Sequence, residues 1–137
     1  MFKLEAAMFK VNLKLMLSAY LLVVNTMLHA EGEDCDITLG EKIFKKCAVC
    51  HTHDDSGSHL VGPNLHGVMD RMSGSTADYP YSIALQDAPR KWTPEALDEF
   101  LEKPMSILPG TSMAFAGIRK PHQRAAVICY MNGGETP

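Results

Sequence analysis

From Thr52 to Tyr81 the chain runs through little hydrophobic periodicity and a crowd of turn formers, among them Asp54, Asp55, Ser56, Gly57, Gly62, Pro63, Asn64, Gly67, Ser73 and Gly74. A compact domain rarely carries so long a stretch without secondary structure, so something other than the chain must fill its centre. Immediately before this stretch stands Cys47-Ala48-Val49-Cys50-His51, a C-x-x-C-H arrangement. Two thiols on adjacent turns can add to the two vinyl groups of one porphyrin, and the imidazole of the next residue then lies under the iron. Motif and loop together point to a covalently attached haem. A thioredoxin-like redox pair would want a βαβ context, which is absent. A zinc site would want a second Cys/His pair at ligand spacing, for which His53 and His59 are poorly placed.

The rest of the pattern is helical. Thr38, with Glu41 three residues on, predicts a capping box for a helix through Ile43 and Phe44 towards Cys47. Thr93 predicts the cap of a second helix, with Pro94 in its first turn, an apolar stripe at Leu97, Phe100 and Leu101, and Pro104 as its stop. Pro121 opens a third, which Ala125, Val127, Ile128, Tyr130 and Met131 populate and Gly133 and Gly134 end. No strand pattern and no internal repeat is present, so the expected class is all-α with long loops.

The first thirty residues differ in kind. Lys3, Lys10 and Lys14 precede an uncharged run from Leu15 to Leu28, and the small Ala30 precedes Glu31. This reads as a cleavable signal peptide over residues 1–30, with Met8 as an alternative start, ahead of a domain over 31–137. The uncharged run is short for a membrane span, which wants about 20 apolar residues. The whole chain has 137 residues, 13 of them Lys or Arg and 16 Asp or Glu. Cleavage removes three lysines and one glutamate, leaving 10 basic and 15 acidic residues and a formal charge of −5. So acidic a domain does not suit nucleic acid as a partner.

Gly40-x-x-x-Phe44, Cys47-x-x-Cys50-His51, Gly62-Pro63-Asn64-Leu65-His66-Gly67, Tyr79-Pro80-Tyr81-Ser82 and Trp92 form one series of motifs. Leu97-x-x-Phe100-Leu101-x-x-Pro104, Pro109-Gly110-Thr111-x-Met113-Ala114-Phe115-Ala116-Gly117 and Arg124-x-x-Val127-Ile128-x-Tyr130 continue it. Together they resemble class I cytochrome c of the mitochondrial and alphaproteobacterial type, and from Cys47 to Met131 that pattern lies on without a gap. The resemblance implies a cytochrome c fold, with N- and C-terminal helices crossing and loops wrapped round one haem c. It implies His51 and Met113 as the axial ligands. His53, His59, His66 and His122 are rival sixth ligands with plainer readings in loops or on the surface, and His59 falls where the family has a loop-bracing histidine.

The same resemblance implies that the Pro63 carbonyl accepts from the His51 ring, that Arg71, Tyr81 and Trp92 donate to the haem propionates, that Thr111 braces polar groups near Met113, and that Phe115 covers the haem edge. Gly40 inside a helix implies close crossing by the last helix near Val127 and Tyr130. The implied role is a monomeric, soluble one-electron carrier, not an enzyme. Its donor would be a quinol-oxidising membrane cytochrome complex and its acceptor a terminal oxidase or other periplasmic redox enzyme. The expected compartment is the periplasm, with the mitochondrial intermembrane space as the alternative. The rival function is a haem enzyme, a peroxidase or gas binder, with an open sixth position.

Three departures from the family pattern shape further expectations. Phe100 and Leu85 stand where many relatives carry tyrosine and asparagine, which predicts a drier pocket on the Met113 side. Met105, Ser106 and Ser112 replace lysines near the haem edge, while Lys46, Arg119 and Lys120 remain, which predicts more apolar docking and weak salt dependence. Cys35 and Cys129 are left once Cys47 and Cys50 hold the haem. An oxidising compartment and the crossing of first and last helices make a Cys35–Cys129 disulfide one reading; a small buried thiol at Cys129 is the other.

Overall fold

A computed structural model describes residues 35–69 and 71–134; the expected signal peptide lies outside them. Helices α1 (Ile37–Phe44), α2 (Ile83–Asp87), α3 (Pro94–Glu102), α4 (Pro104–Ile107) and α5 (Pro121–Met131) follow one another with long irregular connections. Among the described residues the only β pairing is an isolated antiparallel bridge between Met72 and Lys91. The all-α expectation holds, as does the helical core formed by the first, third and last elements.

The start of α1 is corrected. Its cap is Asp36, whose side chain accepts from the Leu39 N–H at 2.8 Å. Thr38 lies inside the helix, where it cannot cap, because an N-cap needs non-helical backbone and Asp36 supplies it. The chain leaves α1 in helical turns: His51 N–H donates to Cys47 O and Cys50 N–H also to Cys47 O, both at 2.9 Å. That turn is what brings the two thiols and the imidazole to one side.

Helix α3 forms as read. Thr93 Oγ1 accepts from the Ala96 N–H at 3.2 Å, Pro94 occupies the first turn, and Leu97, Phe100 and Leu101 are buried. Pro104 does more than stop it. Lys103 takes an extended conformation for one residue, and Pro104 then opens α4, because its fixed φ suits a first helical position.

Helices α1 and α5 cross at Gly40. A Cβ there would lie 2.6 Å from the Tyr130 Cβ and would collide with the Ala126 carbonyl, so only glycine lets the two backbones approach. Phe44 packs on Tyr130 with ring centroids 5.3 Å apart, and Val127 is wholly buried beneath them. Arg124 on α5 makes a two-pronged pair with Asp98 on α3, Nε to Oδ1 at 2.8 Å and Nη2 to Oδ2 at 3.0 Å, while Nη1 donates to Ile118 O. At the ends of the crossing, Cys35 and Cys129 stand with Cα atoms 5.8 Å apart.

Candidate functional site

The segment with no periodicity is organised by hydrogen bonds to two side chains. Asn64 is buried, and its Nδ2 donates to Thr52 Oγ1 at 2.9 Å and to Asp54 O at 3.0 Å, while its Oδ1 accepts from the His66 N–H at 2.7 Å. His59 Nδ1 accepts from the Asn64 N–H, and Nε2–H donates to Ala77 O at 3.0 Å, which pins residues 59–64 to the loop beyond. His59 is therefore the loop brace expected of it. Each buried backbone group in the loop needs a partner, and a polar residue with several donors and acceptors supplies them where no helix can. The Asn64 hub was not foreseen, because nothing in its spacing distinguishes it from any other turn residue.

This loop, the turn after α1, and the inner faces of α3 and α5 enclose a cavity of about 670 Å³, within the range of small-molecule sites. Its lining is largely apolar, with Leu65, Val68, Leu85, Leu97, Phe100, Leu101, Val127 and Met131 contributing. Cys47, Cys50 and His51 line it, and so does Met113 from the segment after α4. Pro63, Arg71, Tyr81, Trp92 and Phe115 complete the set of expected residues that reach it. Thr111 stands outside the lining, where its Oγ1 accepts from the Met113 N–H at 3.3 Å.

The His51 ring is held for ligation. Its Nδ1–H donates to Pro63 O at 2.7 Å, which leaves the Nε2 lone pair available. Burial pushes the His51 pKa down, opposed in part by that carbonyl, so the imidazole stays neutral. Burial likewise pushes the Cys47 thiol up, opposed by nearby Lys46. Gly62 packs against the same ring: a Cβ there would come within 2.6 Å of His51 Nδ1 and 2.8 Å of Nε2. A glycine that clears space for an imidazole leaves no periodic trace in sequence, and its role becomes legible only in the structure.

Arg71 lines the cavity and also braces the loop. Its Nη1 donates to His66 O and its Nη2 to Asn64 O, each at 3.0 Å, so the guanidinium clamps the loop as well as facing the cavity. The Tyr81 hydroxyl and the Trp92 ring N–H find no acceptor among the described residues although both side chains line the cavity. The hydroxyls of Ser82 and Thr76 are buried without a partner among the described residues, but neither residue lines the cavity. Unpaired donors on an otherwise apolar wall suit an occupant that accepts from them, so the wall at Tyr81 and Trp92, with Arg71, fits an anionic group, while the apolar remainder of the lining fits a ring. None of His53, His59, His66 and His122 lines the cavity. His53 instead lies against Phe44 and Tyr130, its Nε2–H donating to Met131 O at 3.3 Å.

The cytochrome c family pattern matches residues 37–134. The chain belongs to the cytochrome c family. Cytochrome c of Ginkgo biloba is 45% identical over 103 residues, covering 74% of this chain and 91% of the relative. That of Chlamydomonas reinhardtii is also 45% identical over 103 residues, covering 74% and 92%. Among solved structures, cytochrome cH from Methylobacterium extorquens superposes with a TM-score of 0.67 at 33% identity, covering 72% of this chain and 98% of that one. This cytochrome is accordingly a haem-based electron carrier and not an enzyme, and its cofactor is covalently attached haem c. The cavity suits that group in size, in its pair of cysteines, in its prepared imidazole and in the unpaired Tyr81 and Trp92 donors on its wall.

Proposed function

We propose that this cytochrome is an exported one-electron shuttle in which Cys47 and Cys50 carry the haem and His51 and Met113 are its axial ligands. The observation that carries the reading is the convergence of those four side chains on one apolar cavity. When bound, the haem supplies the one-electron couple at its iron. The Pro63 carbonyl orients the His51 imidazole and raises its basicity. Thr111 steadies the Met113 backbone, and Arg71, Tyr81 and Trp92 would donate to the propionates. His51 and Met113 would together hold the iron and leave no open site for substrate, which is what a carrier requires.

The donor is a quinol-oxidising membrane cytochrome complex and the acceptor a terminal oxidase or other periplasmic redox enzyme. Residues 1–30 direct the chain to the periplasm and are removed there. A redox titration with a reduced-minus-oxidised spectrum should give a single one-electron transition from one haem, with a methionine–iron band in the oxidised protein. Carbon monoxide binding readily at neutral pH would instead favour a haem enzyme. Mass spectrometry of the mature protein should place its first residue at Glu31.

Two departures in the lining give further expected results. Leu85 and Phe100 both face the cavity and bring no hydrogen-bonding group to it. Phe100→Tyr should shift the midpoint potential or the alkaline loss of the Met113 bond, because a hydroxyl reintroduced into an apolar wall changes the stabilisation of charge on the iron. A titration showing neither change would refute the dry-pocket reading.

Of the residues lining the cavity, Val49 is 75% exposed and Val61 81%, Ser112 and Ala114 form the rim with them, and Lys46 and Arg71 are the charged members, whereas Arg119 and Lys120 do not line it. Such a rim docks by apolar contact. Electron transfer to a partner should therefore change with salt by far less than the about 10- to 10³-fold acceleration that complementary charge fields provide. A steep decline in second-order rate between low and physiological salt would contradict this.

A further inference from the structure

Besides the two cysteines at the cavity, the chain has a second pair, and the fold brings that pair together from opposite ends. Cys35 directly precedes the Asp36 cap of α1, and the Ile37 N–H donates to its carbonyl at 3.0 Å. Cys129 is buried in α5, 94 residues away. Their Cα separation of 5.8 Å falls inside the about 4.4–6.8 Å that a disulfide spans. Cys47 and Cys50 line the cavity, whereas neither Cys35 nor Cys129 does. The fold thus sorts four chemically identical side chains into two sets: one facing the haem, one at the helix crossing.

We infer that Cys35 and Cys129 form a cross-link site that locks the α1–α5 crossing independently of the haem. The site rests on the haem reading only in that Cys47 and Cys50 are occupied. Its formation is a dithiol oxidation: each thiol gives up a proton and an electron as the sulfur–sulfur bond forms, and a protein disulfide oxidant of the compartment takes up both electrons and both protons, leaving as a dithiol.

The topology says why such a lock is useful. Helices α1 and α5 share an interface through Gly40, Phe44 and Tyr130, but the chain between them is mostly loop arranged round the cavity. Closing so long a loop is entropically unfavourable, and without a cross-link the crossing depends on whatever holds that intervening chain together. A bond between Cys35 and Cys129 removes the closure cost from the unfolded ensemble whether or not the haem side is intact. It lies at the edge of the crossing, so it stabilises the scaffold without entering the group of residues that sets the potential.

The test uses the holoprotein. Alkylation with iodoacetamide in denaturant, without reductant, followed by peptide mass spectrometry, should modify none of the four cysteines. Alkylation of Cys35 and Cys129 with monomeric protein overturns the inference, as does a disulfide-linked dimer on a non-reducing gel. Alkylation of Cys47 and Cys50 would instead overturn the haem-attachment reading, so the two failures are distinct. The holoprotein is then treated with a phosphine, which opens a disulfide and leaves thioethers. Reduction should raise the unfolding equilibrium constant by about 30- to 1,000-fold in guanidinium titrations, with the methionine–iron band and midpoint potential unchanged. No loss of stability, or a change in the band, overturns the lock as described. The Cys35→Ser, Cys129→Ser double variant should reproduce the reduced holoprotein.

Discussion

Met113→Ala is expected to turn the carrier into a ligand-binding haem protein. The thioether is a soft donor that stabilises ferrous iron, and the alanine cannot reach the metal. None of His53, His59, His66 and His122 lines the cavity, so among the described residues no imidazole beyond His51 is placed to take over. The variant should lose its methionine–iron band and bind carbon monoxide at neutral pH. Its midpoint potential should drop by on the order of 0.1 V or more, within the about 0.8 V that axial ligation spans. Stability should fall less than function does, because Met113 belongs to a wall shared with Leu101, Phe100 and Phe115. A variant that keeps the band and excludes carbon monoxide would show that some other group is the sixth ligand, and the carrier mechanism would need a different second donor.

The contrast between Met113 and Arg71 shows which parts of such a site a sequence makes legible. Met113 is legible as a candidate ligand because the family pattern puts it at a fixed motif position, and it does line the cavity. Arg71 is legible, through the family pattern, as a donor for the propionates, but its second task is not. Two of its donors go to the His66 and Asn64 carbonyls, a commitment that depends on a loop whose course no local pattern records. The helices divide in the same way. Helix α3 carried its cap, its first-turn proline and its apolar stripe in one short window, so its beginning and buried face could be read directly. Helices α2 and α4 have five and four residues, too few to show a stripe. Helix α1 was placed correctly but given the wrong cap, because Asp36 and Thr38 are both competent caps and only backbone conformation chooses between them. Gly40 and Gly62 are opposite cases of one residue type. The first was legible because a glycine within a helix is unfavourable unless another backbone comes close; the second sits among turn residues where glycine is ordinary.

Removing the cofactor should unfold most of this domain. In the Cys47→Ala, Cys50→Ala double variant no thiol remains to retain the haem, and the cavity of about 670 Å³ loses its occupant. Apolar space left unfilled in a packed interior destabilises it increasingly with volume, and a domain has only about 5–15 kcal/mol of stability to lose. The loop from Thr52 to Tyr81 has Asn64, His59 and Arg71 to organise it, but Leu65 and Val68 within it face the cavity and would meet water. The unpaired donors at Tyr81 and Trp92 on the cavity wall add nothing to offset this. What should survive is the α1–α5 pair, joined at Gly40 and tethered at Cys35 and Cys129. Circular dichroism of the purified variant should show only residual helix and no cooperative thermal transition, and amide exchange should leave residual protection in α1 and α5 alone. A cooperative transition with protection across residues 52–81 would mean that the chain fills its own centre, which its sequence gives no means of doing.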